Sequence, residues 1–265
     1  MTYKNKTVWI TGASSGIGEA LAYAFAREGA HLIISARNIV ELERVKNACK
    51  GAASVAIVKL DIGDTDNVFQ AVQTTLKGGD GRVDVLINNA GLSQRSLTKD
   101  TAFEVDKNLI NVNLLGTIAM TKALLPTFLR QKSGQIVVIS SIMGKIGAPL
   151  RSSYAAAKHG LHGFFDTLRS EMHNDGLHIL MVCPGYVRTN ISRNALTADG
   201  KAQGTMDAAT NVGFDPQHVA DRIIKALKRG QEEIVIAGVR ERFALFLKRL
   251  APPLLSKIVR NAKTT

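Results

Sequence analysis

The sequence predicts an α/β fold, a single domain built on a doubly wound parallel sheet of about seven strands flanked by helices. Short runs rich in valine, isoleucine and leucine alternate with longer helical patterns. These runs are nearly continuous in apolar residues, which indicates strands buried on both faces, as in a parallel sheet covered by helices. The chain has 265 residues, 45% of them hydrophobic, and no linker-like change in composition divides it. That length is enough for one substantial core.

The elements follow one another in a regular order. The apolar runs predict strands at 7–10, 31–35, 54–60, 83–87, 135–140, 178–182 and 233–237. Helical patterns lie between them at 18–28, 39–50, 66–76, 103–130, 153–174 and 216–229. Ligands of such sheets bind beyond the carboxyl ends of the strands, so the residues that follow each strand are the candidates for function.

The first of these segments is TGASSGIG at 11–18. Its spacing, G-x-x-x-G-x-G, fits neither the G-x-G-x-x-G fingerprint nor the P-loop, because Glu19 follows Gly18. A glycine-rich loop between a strand and a helix brings backbone N–H groups and a helix N-terminus to an anion. The other strand ends are expected to converge on the same crevice: Ala36-Arg37, Asp61-Ile62, NNAG at 88–91, Ser140-Ser141 and Pro184-Gly185.

Tyr154 and Lys158 stand four residues apart in YAAAK, so a helix presents both on one face. The surroundings of a tyrosine must lower its pKa by about three units if the hydroxyl is to exchange protons readily at neutral pH. This shift requires a preference for the phenolate of roughly 4 kcal/mol. One ammonium about 4.5 Å away contributes about 3.7 kcal/mol at an effective dielectric of about 20. The spacing alone leaves open an ordinary solvated Tyr/Lys pair.

Ser141, thirteen residues earlier, adds a hydroxyl that can orient a carbonyl oxygen. Asn113, in INVNLLG, adds an amide that can hold a water or a backbone group beside Lys158.

These motifs, in this order and spacing, resemble the short-chain dehydrogenases/reductases, NAD(P)-dependent oxidoreductases on a Rossmann-like fold; the resemblance covers roughly residues 5–238. It implies that Tyr154 is the general acid/base, that Lys158 lowers its pKa and binds the nicotinamide ribose, that Ser141 positions the substrate oxygen and that Asn113 sustains a proton relay. It also implies cofactor contacts. These are Gly12, Ser14, Ser15, Gly16, Ile17 and Gly18 at the pyrophosphate, Asp61 and Ile62 at adenine, Asn88, Ala90 and Gly91 towards the adenosine side, and Pro184, Gly185, Val187 and Thr189, with Thr189 at the carboxamide.

The end of the second predicted strand bears on the choice of cofactor. NAD sites usually place Asp or Glu there for the ribose 2′-hydroxyl, but this chain has Ala36 followed by Arg37. A charge-assisted contact to a 2′-phosphate, worth roughly 1.5 to 3 kcal/mol, predicts a ten- to hundredfold preference for NADP(H) over NAD(H). The alternative is that Arg37 merely covers the adenine ring.

Charge, histidine spacing and hydropathy indicate which partners, metal sites and cellular location to expect. The net charge is +12, but residues 225–265 hold ten Lys or Arg against three acidic residues, a surplus of seven, which leaves +5 for the rest. No nucleic-acid-binding signature accompanies this surplus, so we expect no nucleic-acid partner. His159 and His162 lie three apart on a helix, but no third ligand is placed near them, so no metal site is predicted. No signal-peptide pattern and no spanning helix are expected, which favours a cytoplasmic protein.

The C-terminal segment 240–265 is predicted to be a basic amphipathic extension to the catalytic domain at 1–239, split by Pro252-Pro253. It is interpreted as a lid or oligomer contact, or as a peripheral membrane contact. The predicted function is an NADP(H)-dependent interconversion of a carbonyl, lipophilic by analogy with family members, and an alcohol. The alternative is a non-catalytic dinucleotide-binding regulator or scaffold. By the same resemblance the chain forms a homodimer or homotetramer.

Overall fold

The computed structural model describes residues 2–260. Seven parallel strands form one sheet, in the order β3-β2-β1-β4-β5-β6-β7. The strands are β1 (Thr7–Thr11), β2 (His31–Ala36), β3 (Ser54–Lys59), β4 (Val85–Asn88), β5 (Gly134–Ile139), β6 (Leu177–Pro184) and β7 (Glu233–Ile236). The strand order reverses between β1 and β4, which opens a crevice at the carboxyl ends of these two strands.

Helices cover both faces of the sheet. They are α1 (Gly16–Arg27), α2 (Ile39–Ala48), α3 (Thr65–Gly78), α4 (Phe103–Ile110), α5 (Gly116–Gln131), α6 (Ser152–Glu171), α7 (Ala208–Asn211), α8 (Pro216–Lys228), α9 (Val239–Leu250) and α10 (Pro252–Arg260). The predicted fold class is confirmed, and the predicted elements end within a few residues of the observed ones.

Two hydrophobic cores lie on opposite faces of the sheet, because successive side chains of a strand alternate. Ile10 packs with Phe25 of α1 on one face, whereas its neighbour Trp9 packs with Phe128 of α5 and Phe165 of α6 on the other. All five of these side chains are essentially inaccessible to solvent. Burial on both faces explains why the central strands read as continuous apolar runs.

The helix predicted at 103–130 is interrupted by a wide turn. A π-helical turn at Asn111–Leu115 joins α4 to α5. This continuous stretch, Phe103–Gln131, is the one described helix long and apolar enough to cross a membrane, which the sequence analysis did not expect. Its most apolar window has a mean hydropathy of 1.4, and 56% of that window is buried inside the fold. Its apolar side chains thus contribute to the core against α3 and α6.

The C-terminal helices pack against the body of the fold. Leu247 of α9 and Leu255 of α10 are buried in a cluster with Ile142 and Ile146, which follow β5. The helices break at Ala251, next to the two prolines that predicted the split. The boundary at 239/240 stays a prediction, and residues 261–265 of the predicted extension lie outside the described residues.

Candidate active site

A crevice of about 710 Å³ lies at the carboxyl ends of the strands. It brings together all but two of the residues predicted for the site: Gly12, Ser14, Ser15, Gly16, Ile17, Arg37, Asp61, Ile62, Ala90, Gly91, Asn113, Ser141, Tyr154, Lys158, Pro184, Gly185, Val187 and Thr189. Gly18 and Asn88 are not among the lining residues. A volume in this range suits a small-molecule or cofactor site.

The glycine-rich loop forms a close-fitting cradle. Gly12 and Gly16 have φ values of 65° and 60°, a left-handed conformation that glycine adopts at little cost. A Cβ atom would lie 2.8 Å from Ala90 Cα at Gly12 and 2.9 Å from Thr189 Cγ2 at Gly16. Helix α1 begins at Gly16 without a side-chain cap from Ser15, so its N-terminus suits an anion. The cradle therefore fits the pyrophosphate of a dinucleotide.

The two predicted residues that do not line the crevice, Gly18 and Asn88, lie beneath its surface and support the packing around it. A Cβ at Gly18 would overlap the carbonyl oxygen of Gly12, so this glycine permits α1 to pack on the loop. Asn88 is 3% exposed and donates from Nδ2 to Thr121 Oγ1 at 2.9 Å. Side chains alternate at the end of β4, so the neighbouring Asn89 lines the crevice, and the adenosine contact of Asn88 stays a prediction.

Asn89 and Thr11 join the glycine-rich loop to the NNAG segment. Asn89 donates from Nδ2 to the carbonyl oxygens of Thr11 and Gly12, at 3.0 and 3.1 Å. Thr11 Oγ1 accepts hydrogen bonds from the backbone N–H groups of Asn89 and Ala90. These bonds fix the two loops at the sheet's reversal point. Sequence reasoning passed over Asn89, although it is one residue from a predicted contact.

The predicted adenine end of the crevice carries one exposed ion pair. Arg37 Nη1 lies 3.9 Å from Asp61 Oδ2, with 66% and 48% of the two side chains exposed. Asp61 Oδ1 accepts from the backbone N–H of Gly63 at 2.9 Å, while Ile62 is buried beside it. The Arg37 guanidinium thus remains largely open to solvent at the end of β2.

Tyr154 lies in the first turn of α6 and is 8% exposed. Its backbone N–H and that of Ser153 donate to Gln94 Oε1, at 3.3 and 3.0 Å. The fully buried Gln94 thus caps the start of α6 from the loop after β4. Ser141 lines the same crevice, and its Oγ accepts from the backbone N–H of Met143 at 3.1 Å. Sequence reasoning missed Gln94, since nothing local marks it.

Lys158 lies one helical turn after Tyr154 and is 5% exposed. Its Nζ is 5.8 Å from the centroid of the Tyr154 ring and donates to the carbonyl oxygen of Ile139 at 2.8 Å. Burial lowers the pKa of Lys158 to about 8, which still leaves it mostly protonated at neutral pH. Burial raises the pKa of Tyr154, the opposite of the lowering predicted from the lysine charge, although the neighbouring Ser141 side chain acts to lower this pKa.

Asn113 is completely buried in the π-helical turn. Its Nδ2 donates to the carbonyl oxygens of Leu92 and Leu109, at 3.0 and 2.9 Å, and its Oδ1 accepts from the N–H of Leu92 at 3.1 Å. A Cβ at Gly91 would lie 2.6 Å from Asn113 Oδ1 and 3.7 Å from Lys158 Nζ. The amide therefore holds the backbone of Leu92 near Lys158, and its part in a proton relay stays a prediction.

A buried ion cluster borders Tyr154. Asp207 accepts hydrogen bonds from Arg95 and lies 3.6 Å from Arg151 Nη2, with all three side chains at most 6% exposed. The positive charges of Arg151 and Arg95 also act to lower the pKa of Tyr154. The cluster links the loop after β4, the start of α6 and the start of α7. No sequence motif marked these residues.

The segment after β6 also lines the crevice, through Asn190, Ile191, Asn194, Leu196, Gly200 and Ala202. Backbone hydrogen bonds join Leu196 to Ser93 and Arg95. His162 is directed towards Ser140 and Cys183, with Nε2 at 3.2 Å from Ser140 Oγ, and His159 Nδ1 lies 2.8 Å from the carbonyl oxygen of Ala155. Within residues 2–260 no three His, Cys, Asp or Glu side chains are grouped to hold a metal ion.

A family model described as short chain dehydrogenase matches residues 6–200. The chain therefore belongs to the short-chain dehydrogenase/reductase family of oxidoreductases, and the family predicted from the motifs is confirmed. Relatives match almost the whole chain. Dehydrogenase/reductase SDR family protein 7-like of Anopheles gambiae is 42% identical over 253 residues, 93% of this chain and 80% of the relative. Dehydrogenase/reductase SDR family member 7B of Bos taurus is 40% identical over 263 residues, 97% of this chain and 81% of the relative.

Solved structures share the fold. An alcohol dehydrogenase of Thermococcus sibiricus complexed with 5-hydroxy-NADP has a TM-score of 0.76 at 28% identity, covering 88% of this chain and 96% of the other. A short-chain dehydrogenase/reductase of Burkholderia phymatum in complex with NAD has a TM-score of 0.85 at 23% identity, covering 96% of both chains. These neighbours bind nicotinamide dinucleotides, one of the NADP type and one NAD.

Proposed function

We propose that this protein is an NADP(H)-dependent oxidoreductase that interconverts a carbonyl and an alcohol, with Tyr154 as general acid/base. The observation that carries the proposal is that Tyr154, Ser141 and Lys158 line one crevice together with the glycine-rich loop, with Lys158 Nζ 5.8 Å from the centroid of the Tyr154 ring. A solvated Tyr/Lys pair, the alternative left open by the spacing, does not agree with side chains that are 8% and 5% exposed.

The residues divide the chemistry between them. A bound nicotinamide dinucleotide supplies or accepts the hydride. The Tyr154 hydroxyl gives a proton to the carbonyl oxygen in reduction and takes it back in oxidation. Ser141 holds the same oxygen by a hydrogen bond. Lys158 keeps a positive charge beside the tyrosine, which favours the phenolate, and Asn113 holds the backbone of Leu92 next to that lysine.

Arg37 supports the preference for NADP(H). Ala36 ends β2, where an acidic side chain would suit an unphosphorylated ribose, and Arg37 follows it with a guanidinium that is mostly exposed. The pair with Asp61 at 3.9 Å is long and exposed, so a 2′-phosphate can compete for the guanidinium. The Thermococcus sibiricus enzyme, complexed with an NADP derivative, agrees with this choice.

A lipophilic substrate is supported by the apolar side chains near the reacting groups. Leu92, Ile191, Leu196 and Ala202 line the crevice together with Ser141 and Tyr154. Such side chains favour the burial of an apolar substituent at about 25 cal/mol per Å². The homodimer or homotetramer and the cytoplasmic location stay predictions, to be measured by light scattering of the purified chain and by cell fractionation.

The test is NADPH oxidation across aldehydes and ketones of increasing apolar length. Turnover of at least one carbonyl, rising with apolar length, is expected. Tyr154→Phe should lower kcat by about 10² to 10⁴-fold, the usual contribution of general acid/base catalysis, while NADPH still binds. NADPH binding without turnover of any carbonyl would favour the dinucleotide-binding regulator or scaffold. Wild-type kcat in Tyr154→Phe would overturn the proposed mechanism.

A further inference from the structure

The outer surface of α9 and α10 carries an unusual concentration of apolar side chains. Six of the fifteen large apolar side chains exposed among residues 2–260 lie between 239 and 260. They are Val239, Phe243, Phe246, Leu250, Leu254 and Ile258, with exposed fractions from 48% to 85%. We call these six residues the apolar strip. Single exposed apolar residues are ordinary, but a contiguous patch of them marks an interaction site.

The strip follows the helical period. At 100° per residue, Val239, Phe243, Phe246 and Leu250 fall within about 60° of one another around α9. Leu254 and Ile258 are exposed one turn apart on α10, so they share one face of that helix. The side of the two helices next to this row packs on the fold, because Leu247 and Leu255 are buried in one cluster with Ile142 and Ile146. The strip is thus the outer face of helices that are already anchored to the fold.

Positive charge surrounds the strip. Residues 239–260 contain six Lys or Arg and a single acidic residue, Glu241. Helical geometry places Arg242 and Arg249 alongside the α9 row. A neighbouring groove of about 680 Å³ between α8, β7 and α9 is lined by Arg222, Lys225, Arg229 and Arg242, with Glu233, which pairs with Lys145 at 2.8 Å. The partner of this surface must therefore be both apolar and negatively charged.

We infer that α9 and α10 form a docking surface for an anionic lipid bilayer, with the apolar strip in the acyl boundary and the flanking cations at the headgroups. A helix with one apolar face and a strongly basic rim lies in the plane of the membrane interface. Anionic headgroups complement the charge, and acyl chains complement the strip. The outer surface of a second copy would bring like charges together, which disfavours it as the occupant.

The surface adjoins the crevice without closing it. Ile142 and Met143, which α9 and α10 contact, follow Ser141 directly, and a Cβ at Gly185 would lie 3.3 Å from Glu241 Oε1. Within residues 239–260 no side chain lines the crevice itself, so the helices do not serve as its lid. A bilayer at this surface would lie beside the crevice, and the statement that this crevice binds a lipophilic carbonyl rests on the proposed function.

The test is co-sedimentation of the full chain with large vesicles. Wild type should bind phosphatidylcholine vesicles containing about 30% phosphatidylserine at least tenfold more tightly than pure phosphatidylcholine. About 0.5 M salt should weaken that binding at least tenfold by screening. Phe243→Glu with Phe246→Glu should also weaken it at least tenfold. Phe69→Glu, at an exposed aromatic on α3 near the other edge of the sheet, should leave it unchanged.

A variant that changes one charge tests the surface independently, in case the double variant does not fold. Arg249→Glu should weaken binding to anionic vesicles severalfold, while Lys50→Glu, an equal charge change on a distant exposed residue, should not. Failure of the wild type to bind anionic vesicles, or equal binding by the double variant, overturns the inference. Dissociation of an oligomer by the double variant, without vesicle binding by wild type, assigns the strip to a second copy. Tyr154→Phe should bind vesicles normally, so the docking surface and the proposed chemistry fail separately.

Discussion

Lys158 Nζ donates to the carbonyl oxygen of Ile139 at 2.8 Å, joining helix α6 to the carboxyl end of β5. An ammonium has three donors, and this bond uses one of them. The remaining donors are available to ribose hydroxyls in the crevice that Lys158 lines. The same bond keeps a positive charge at a buried position. The charged form of Lys158 therefore comes at a cost in the free energy of unfolding.

That cost predicts a pH dependence of unfolding. The pKa of Lys158 is about 8 in the fold against an ordinary 10.5, so the folded state penalises the charged form. The penalty is fully present below pH 8 and disappears as the pH rises to about 10.5, because the unfolded chain there still binds the proton. The free energy of unfolding of wild type should therefore rise relative to Lys158→Met over this window, by at most roughly 3 kcal/mol. Parallel urea-unfolding profiles across that range would contradict it.

Arg37→Asp should weaken NADPH binding about ten- to hundredfold and affect NADH less, because it removes a phosphate partner and adds a like charge. Lys46→Asp is the matched control, since Lys46 is an exposed cation of α2 that does not line the crevice. Asp61→Asn should favour NADPH by removing the competing carboxylate. Equal losses of NADPH and NADH affinity in fluorescence titrations would reassign Arg37 to a general adenine contact.

Gly18→Ala should weaken NADPH binding and lower the melting temperature, because the added Cβ would overlap the Gly12 carbonyl oxygen and force α1 away from the cradle. Gly163→Ala is the control within an α-helix. It meets no atom within 4 Å, so it should raise stability by about 0.4 to 1 kcal/mol and leave cofactor affinity unchanged. Calorimetry of the two variants with and without NADPH separates the effects, and equal NADPH affinity in both would contradict the close fit of the loop.

Asp207→Asn should destabilise the protein by about 3 to 5 kcal/mol, because it removes the carboxylate between two buried arginines. Burial opposes ionisation of Asp207, but its hydrogen bond from Arg95 holds the pKa below its ordinary value. The native carboxylate thus stabilises the fold above pH 3.8, and this contribution is lost as the pH falls below that value. Asp199→Asn, at an exposed pair with Lys201, should change little. A midpoint in urea that is unchanged for Asp207→Asn would refute the predicted role of the cluster.

The sequence predicted the parts of the site that depend on local spacing. Tyr154 and Lys158 are one helical turn apart, and strand ends converge because parallel strands share an edge. The exact end of β4 was not predictable from the sequence, and a difference of one residue decides whether Asn88 or Asn89 lines the crevice, since neighbouring side chains face opposite ways. Gln94 and Asp207 were missed because their partners, Tyr154 and Arg95, are far away along the chain and meet them only in the folded protein.

The wide turn at Asn111–Leu115 makes the site sensitive to the length of the chain as well as to its composition. A π turn accommodates one more residue than an α turn, and each residue advances a helix by about 100°. Deleting a single residue here would leave every neighbouring side chain chemically intact. It would nevertheless rotate Asn113 relative to the core face of α5. The Asn113 bonds to the Leu92 backbone and the packing of α5 in the core could then not form together. Insertions and deletions in this stretch are therefore expected to be less tolerated than most of its substitutions.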